Sequence, residues 1–239
     1  MIFNWVESDF LLLSGEDIRF HAEDSDETFV FRPPTLNSLY KNPEINFLLN
    51  ILEKSIEDLK KDFPFDYDTK YELITKLLLH SKKNPKIMEI GLLIIKSLSL
   101  ILPGFNFTKV MKINEDIFIE EKTFNNIVKL LFKSMGRKIT MIEEDDDEFT
   151  RREKQAKLRA EKIKNSKKEE SEKNGFEKII AGISYYFPQY KIIDIFEMNL
   201  YTIYYLFKYV GKIANYEVSV IATGNGLDKK NKHKHFIDL

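Results

Sequence analysis

The sequence predicts a mainly α-helical protein of the α+β class. It divides into an N-terminal domain with a small β-meander or hairpin plus helices, a charged helical linker, and a small C-terminal helical module. Three observations lead there. Apolar residues recur at intervals of three and four over most of the chain, the period of helices with one buried face. Short apolar runs separated by turn-prone residues occur near the start and around residue 114, as expected of strands. After Ile142 the apolar pattern gives way to charge, which sets boundaries at 1–142, 143–174 and 175–239.

Taken in order, FLLLSGEDIRFHA places Ser14-Gly15-Glu16-Asp17 as a turn between two apolar runs, so both runs are expected to be strands. EDSDETFVFR continues the sheet, with Phe29 and Phe31 alternating with Val30 and Arg32. Pro33-Pro34 ends it, because proline cannot donate to a ladder. Thr35 is placed to cap a helix over LNSLYK. INFLLNILEKSIEDLKKDF puts Ile45, Leu48, Leu49, Leu52, Ile56 and Leu59 on one helical face. Asp68 or Thr69 caps the next helix, KYELITKLLLHSKK. The segment from Ile87 to Leu102 is the most apolar, yet it carries Glu89 and Lys96 and stops at Pro103-Gly104. A bilayer span needs about 20 largely uncharged residues, so a buried helix is expected here and no membrane association. FNFTKVMKI and DIFIE suggest a hairpin turning at Asn114-Glu115-Asp116. Thr123 is expected to cap FNNIVKLLFKSMG, with Gly136 as its C-terminal glycine. In the last module Phe176, Ile179, Ile180, Ile183 and Phe187 mark a helix ending near Pro188. Asn199 then opens a long helix on which Leu200, Ile203, Tyr204 and Phe207 share a face.

Composition narrows the function classes. With 37 basic and 38 acidic residues the net charge is −1, which argues neither for nucleic acid nor for an anionic membrane. There are no cysteines, hence no disulfides, thiolate nucleophiles or Cys-based zinc sites. MIFNWVESDFLLL lacks the basic start and cleavage site of a signal peptide, so the expected location is the cytoplasm. GxSxG, HExxH and DxDxDG patterns are all absent from the sequence. KHKH at 232–235 offers two histidines with no carboxylate in range, and His80 reads as a helix-terminus residue. Gly224-Asn225-Gly226 lacks the spacing of a phosphate loop and reads as a helix end and turn. No catalytic residue, cofactor site or metal site is therefore assigned.

What remains is the aromatic content of the last module. Tyrosines near Lys191, Lys208 and Lys212 raise base stacking, but no basic stripe accompanies them, so packing or a protein–protein surface is the stronger reading. The candidate partner-binding residues are Leu200, Tyr201, Tyr204, Tyr205, Phe207, Tyr209 and Tyr216. The charged stretch 143–174 opens EEDDDE and turns basic. Glu148 with Arg152 and Glu153 with Lys157 form i,i+4 pairs worth about 0.2–0.5 kcal/mol each, so a partly helical connector is expected over 148–164.

FRPPTLNSLYK (31–41), MIEEDDDEFTRREKQAKLRAEK (141–162) and DIFEMNLYTIYYLFKYVGKIANYEVSVIATGNG (194–226) together resemble the tail assembly chaperones of long-tailed bacteriophages of Gram-positive hosts. The resemblance lies in an acidic-then-basic junction followed by a tyrosine-rich helix and Asn215-Tyr216-Glu217. It implies a non-enzymatic protein, without cofactor, that binds the phage tape-measure protein and recruits tail-tube subunits in the cytoplasm of the infected or lysogenic host. It also implies that a longer form can arise by frameshifting near the junction, and it is compatible with a homo-oligomer. A structural virion component (neck, baseplate or tail subunit) and a nucleic-acid-binding accessory protein using 151–168 are the alternatives.

Overall fold

The computed structural model describes residues 5–21, 28–81, 84–113, 117–137, 153 and 175–224. The protein is mainly helical, and the described residues include two small antiparallel sheets, in agreement with the α+β class. The chain separates into two compact units. Unit 1 comprises Met1–Arg137 together with Phe196–Tyr201, and unit 2 comprises Lys138–Ile195 and Thr202–Leu239.

The first described element of unit 1 is helix α1 (Trp5–Ser14), where an apolar run before a turn suggested a strand. The Ser14-Gly15 turn is in fact a helix ending: Ser14 Oγ donates to the Leu11 carbonyl and Gly15 takes a positive φ of 75°, the usual residue just past a helix C-terminus. Two strands follow, β1 (Ile18–His21) and β2 (Thr28–Phe31), paired antiparallel with Ile18 opposite Phe31 and Phe20 opposite Phe29. Their inward residues Ile18, Phe20, Phe29 and Phe31 are buried, and the Phe20 and Phe29 rings stack 5.3 Å apart. Strand β2 stops before Pro33-Pro34, and Thr35 caps α2 (Leu36–Lys41) by accepting from the Ser38 N–H, both as the sequence indicated.

The single helix expected over 45–63 is two, α3 (Glu44–Glu53) and α4 (Ile56–Asp62). Lys54 and Ser55 are extended, and the Ser55 hydroxyl accepts from the Asp58 N–H while bonding the Asp58 carboxylate. Here the Ser55 cap on the Asp58 N–H starts a new helix, so local capping outcompetes the continuous apolar stripe. Of the two caps considered for α5 (Lys70–Ser81), Thr69 is used: its hydroxyl accepts from the Glu72 N–H, and Glu72 returns a bond to the Asp68 N–H.

Helix α6 (Pro85–Ile101) packs on both α3 and α5. Pro85 occupies the first helical position, where its missing N–H costs nothing. FNFTKVMKI forms two strands rather than one: β3 (Phe105–Phe107) and β4 (Met111–Ile113) pair antiparallel, and β4 pairs with β5 (Ile117–Phe118). Helix α7 (Glu121–Ser134) starts earlier than expected, after Glu120, and Thr123 is buried inside it rather than capping it. Its other end follows the sequence reading. Gly136 has φ 65°, its N–H donates to the Lys133 carbonyl, and the Arg137 N–H donates to the Phe132 carbonyl, the paired bonds of a Schellman ending.

In unit 2, α8 (Gly175–Tyr186) carries Ile183 fully buried. Helix α9 (Ile192–Phe196) is short, and α10 (Leu200–Gly224) is long, with only its first two residues belonging to unit 1. Gly182 of α8 lies against Phe207 and Val210 of α10, and one turn on Tyr186 donates to Glu217 at 3.2 Å. The charged connector expected over 148–164 lies outside the described residues, except that Glu153 is helical and exposed.

Candidate functional site

All seven residues singled out from the sequence lie on α10, but the helix does not bring them to one patch. At 25 residues and 1.5 Å per residue α10 is about 37 Å long. Its faces follow from the 3.6-residue turn.

One face is inward: Ile203 and Val210 are buried and Leu206 and Ile213 half-buried, and Leu200 is buried beside this face at the helix start. A second face carries Tyr204, Phe207, Gly211, Ala214, Val218 and Ile221, alternating spacings of three and four. Its aromatic end is partly covered, since Phe207 rests on Gly182, whereas Val218 is 66% and Ile221 63% exposed. An apolar stripe alternating three and four is the seam by which one helix packs lengthwise against another. Gly211 and Ala214 in its middle let a second backbone approach closely.

The remaining tyrosines form a polar ridge on a third face. Tyr205 and Tyr209 hydroxyls lie 3.1 Å apart, their rings 5.0 Å apart, and the Lys212 ammonium sits over the Tyr209 ring at 5.5 Å. The hydrogen bond to Tyr209 raises the Tyr205 hydroxyl above its ordinary pKa, with burial adding to it. Tyr216 follows along the same ridge, half-buried. Tyr201 is committed elsewhere, its hydroxyl donating to Asp9 Oδ1 at 2.6 Å.

Thus Tyr204 and Phe207 belong to the apolar seam, Tyr205, Tyr209 and Tyr216 to the ridge, and Leu200 and Tyr201 to unit 1. The sequence reading passed over Gly211, Ala214, Val218 and Ile221. The signal that finds them is the unbroken three-four spacing, which aromatic residues at the helix start obscured.

Elsewhere two titratable groups make contacts within unit 1. His80 is exposed at the end of α5 and stacks on Phe65 with centroids 4.9 Å apart. Lys70 donates to the Leu52 carbonyl at the end of α3, and burial pushes its ammonium down to about 8, against a partial upward pull from Glu53. His233, His235 and Asn225-Gly226 lie outside the described residues. Among the described residues no group of three His, Asp or Glu side chains could hold a metal ion. No described helix is long and apolar enough to cross a membrane.

No protein-family model matches this chain, and neither a curated protein nor a solved structure does.

Proposed function

We propose that this protein is a non-enzymatic phage tail assembly chaperone that binds the helical tape-measure protein through α10 and recruits tail-tube subunits. The observation that carries the reading is the apolar seam Tyr204, Phe207, Gly211, Ala214, Val218 and Ile221, most exposed at Val218 and Ile221. Its three-four spacing suits an amphipathic helix laid along it, which is the form of a tape-measure segment. Covering such a client would remove its apolar stripe from water until tube subunits take over that role. The tyrosine ridge on another face of α10 leaves a second surface for those subunits, because tyrosine combines contact area with a polar tip.

Co-expression with the tape-measure protein of the same phage tests this. The client stays soluble with the wild-type chain, and Val218→Asp with Ile221→Asp abolishes the effect while the chaperone itself remains folded. A client equally insoluble with and without the protein rules the reading out. Mass spectrometry of purified particles separates the alternative, since a virion component would be present at stoichiometric copy.

A further inference from the structure

Glu197, Met198, Asn199 and Tyr201 each bond a residue of unit 1 that lies far away along the chain. We infer that these residues are a clasp: a docking segment, seated on a socket formed by α1, α2 and α7, that holds the C-terminal piece of the chain to unit 1 independently of the charged junction.

The bonds are directional and meet groups that need partners. The Met198 carbonyl accepts from the Leu36 N–H at 2.9 Å, and Thr35 and Asn199 form an antiparallel bridge. Leu36 is the first residue of α2, so its N–H has no partner within the helix. The Asn199 side-chain amide donates to the Leu12 carbonyl at 2.6 Å, and Leu12 lies in the last turn of α1, where carbonyls are likewise left over. The clasp therefore closes one end of each of two helices. Asn199 is only 2% exposed, so its amide and the carbonyl it meets are both taken from water.

Tyr201 then donates to Asp9, which also pairs with Lys133 of α7 at 2.8 Å. Burial alone would raise the Asp9 carboxyl. The bonds from Lys133 and Tyr201 outweigh it and hold the carboxyl below its ordinary value, so the anion is the bonded form. At the exposed rim the Asn37 amide donates to Glu197 at 2.6 Å. Backbone pairing supplemented by side-chain contacts at fixed spacing is how an extended segment is recognised by a preformed surface. No residue between Arg137 and Phe196 contributes to these bonds, so cutting the chain there leaves each of them in place.

The test is to replace Lys167–Glu170 with a site-specific protease sequence, cleave the folded full-length chain, and follow the pieces by size exclusion at micromolar concentration. The nicked pieces co-elute. Asp9→Asn with Tyr201→Phe weakens their association about tenfold, the consequence of losing a charge-assisted bond at a part-buried site. Asn37→Ala, at the rim, weakens it about threefold and serves if the double variant does not fold before cleavage, which circular dichroism of the uncut chains decides. Separation of the nicked wild-type pieces at micromolar concentration overturns the inference. So does undiminished association of folded variants.

Discussion

Replacing Gly91 by alanine tests the packing of α5 on α6, the most extensive helix pair of unit 1. A Cβ built on Gly91 lies 2.4 Å from the Ser81 Cβ and 2.8 Å from its Oγ. Two carbons need about 3.5–4.0 Å, so the backbones must part by more than an ångström. Little gives way, because Leu73, Ile74, Leu77 and Leu78 on α5 and Ile94 and Leu98 on α6 are all buried. Only three residues also separate Ser81, the end of α5, from Pro85, the start of α6, which limits sliding. Overpacking of this kind costs about 1–3 kcal/mol, and at a site this closed the upper half of that range applies. Alanine returns about 1 kcal/mol through its helix propensity. The net expectation is a loss of about 1–2 kcal/mol, or a fall in Tm of roughly 2–8 °C for a chain of this size.

Gly182 provides the control. The same substitution there brings a Cβ to 3.5 Å from Phe207 and Val210, ordinary van der Waals contact, so Gly182→Ala stabilises by about 0.5–1 kcal/mol. Urea unfolding followed by circular dichroism measures both. A double-mutant cycle with Ser81→Gly isolates the clash, since removing the Ser81 Cβ should recover most of the Gly91→Ala loss. If Gly91→Ala is as stable as wild type, or Ser81→Gly gives no recovery, the close approach of α5 and α6 is refuted.

Tyr67 is buried with its hydroxyl unbonded among the described residues, so Tyr67→Phe raises stability by about 1 kcal/mol in the same urea assay. Lys70 has a folded pKa of about 8, below its unfolded value, so between the two the unfolded chain binds the proton more tightly. Stability therefore rises with pH from about 8 towards 10, by up to about 3 kcal/mol in full, and Lys70→Met removes that rise when midpoints at pH 7.5 and 9.5 are compared. Ser55→Ala deletes the cap that starts α4 and costs about 1 kcal/mol, read as a shift in midpoint at unchanged slope.

The parts of the fold legible in the sequence are those set by chemistry within one turn of chain. Thr35, Thr69 and Gly136 announced helix ends correctly because a hydroxyl or a positive φ acts on residues two to four positions away. The errors arose where two local rules competed. Ser14-Gly15 suits both a strand turn and a helix ending, and the unperiodic Leu11-Leu12-Leu13 before it could not choose between them. The stripe from Ile45 to Leu59 keeps helical phase across a break, so periodicity alone hid the cap at Ser55. The seating of Glu197–Tyr201 on unit 1 left no local mark, because its partners lie more than 150 residues away.

The candidate site shows the same division at the level of single tyrosines. In sequence, Tyr201, Tyr204, Tyr205 and Tyr209 are equivalent aromatic residues near lysines, and nothing distinguishes a ring offered to a partner from one already committed. The structure separates them by what their hydroxyls do. Tyr201 holds Asp9, and Tyr205 and Tyr209 hold each other, so burying these three against a partner must preserve or replace an existing bond. Tyr204 stands on the seam at 43% exposure, one turn before Phe207. A helix docking along Tyr204, Ala214, Val218 and Ile221 therefore gains apolar burial at about 25 cal/mol per Å² with few bonds to break. A partner on the tyrosine ridge must match a fixed polar pattern. On this reasoning the seam tolerates varied helical sequences, and the ridge is the more discriminating surface of α10.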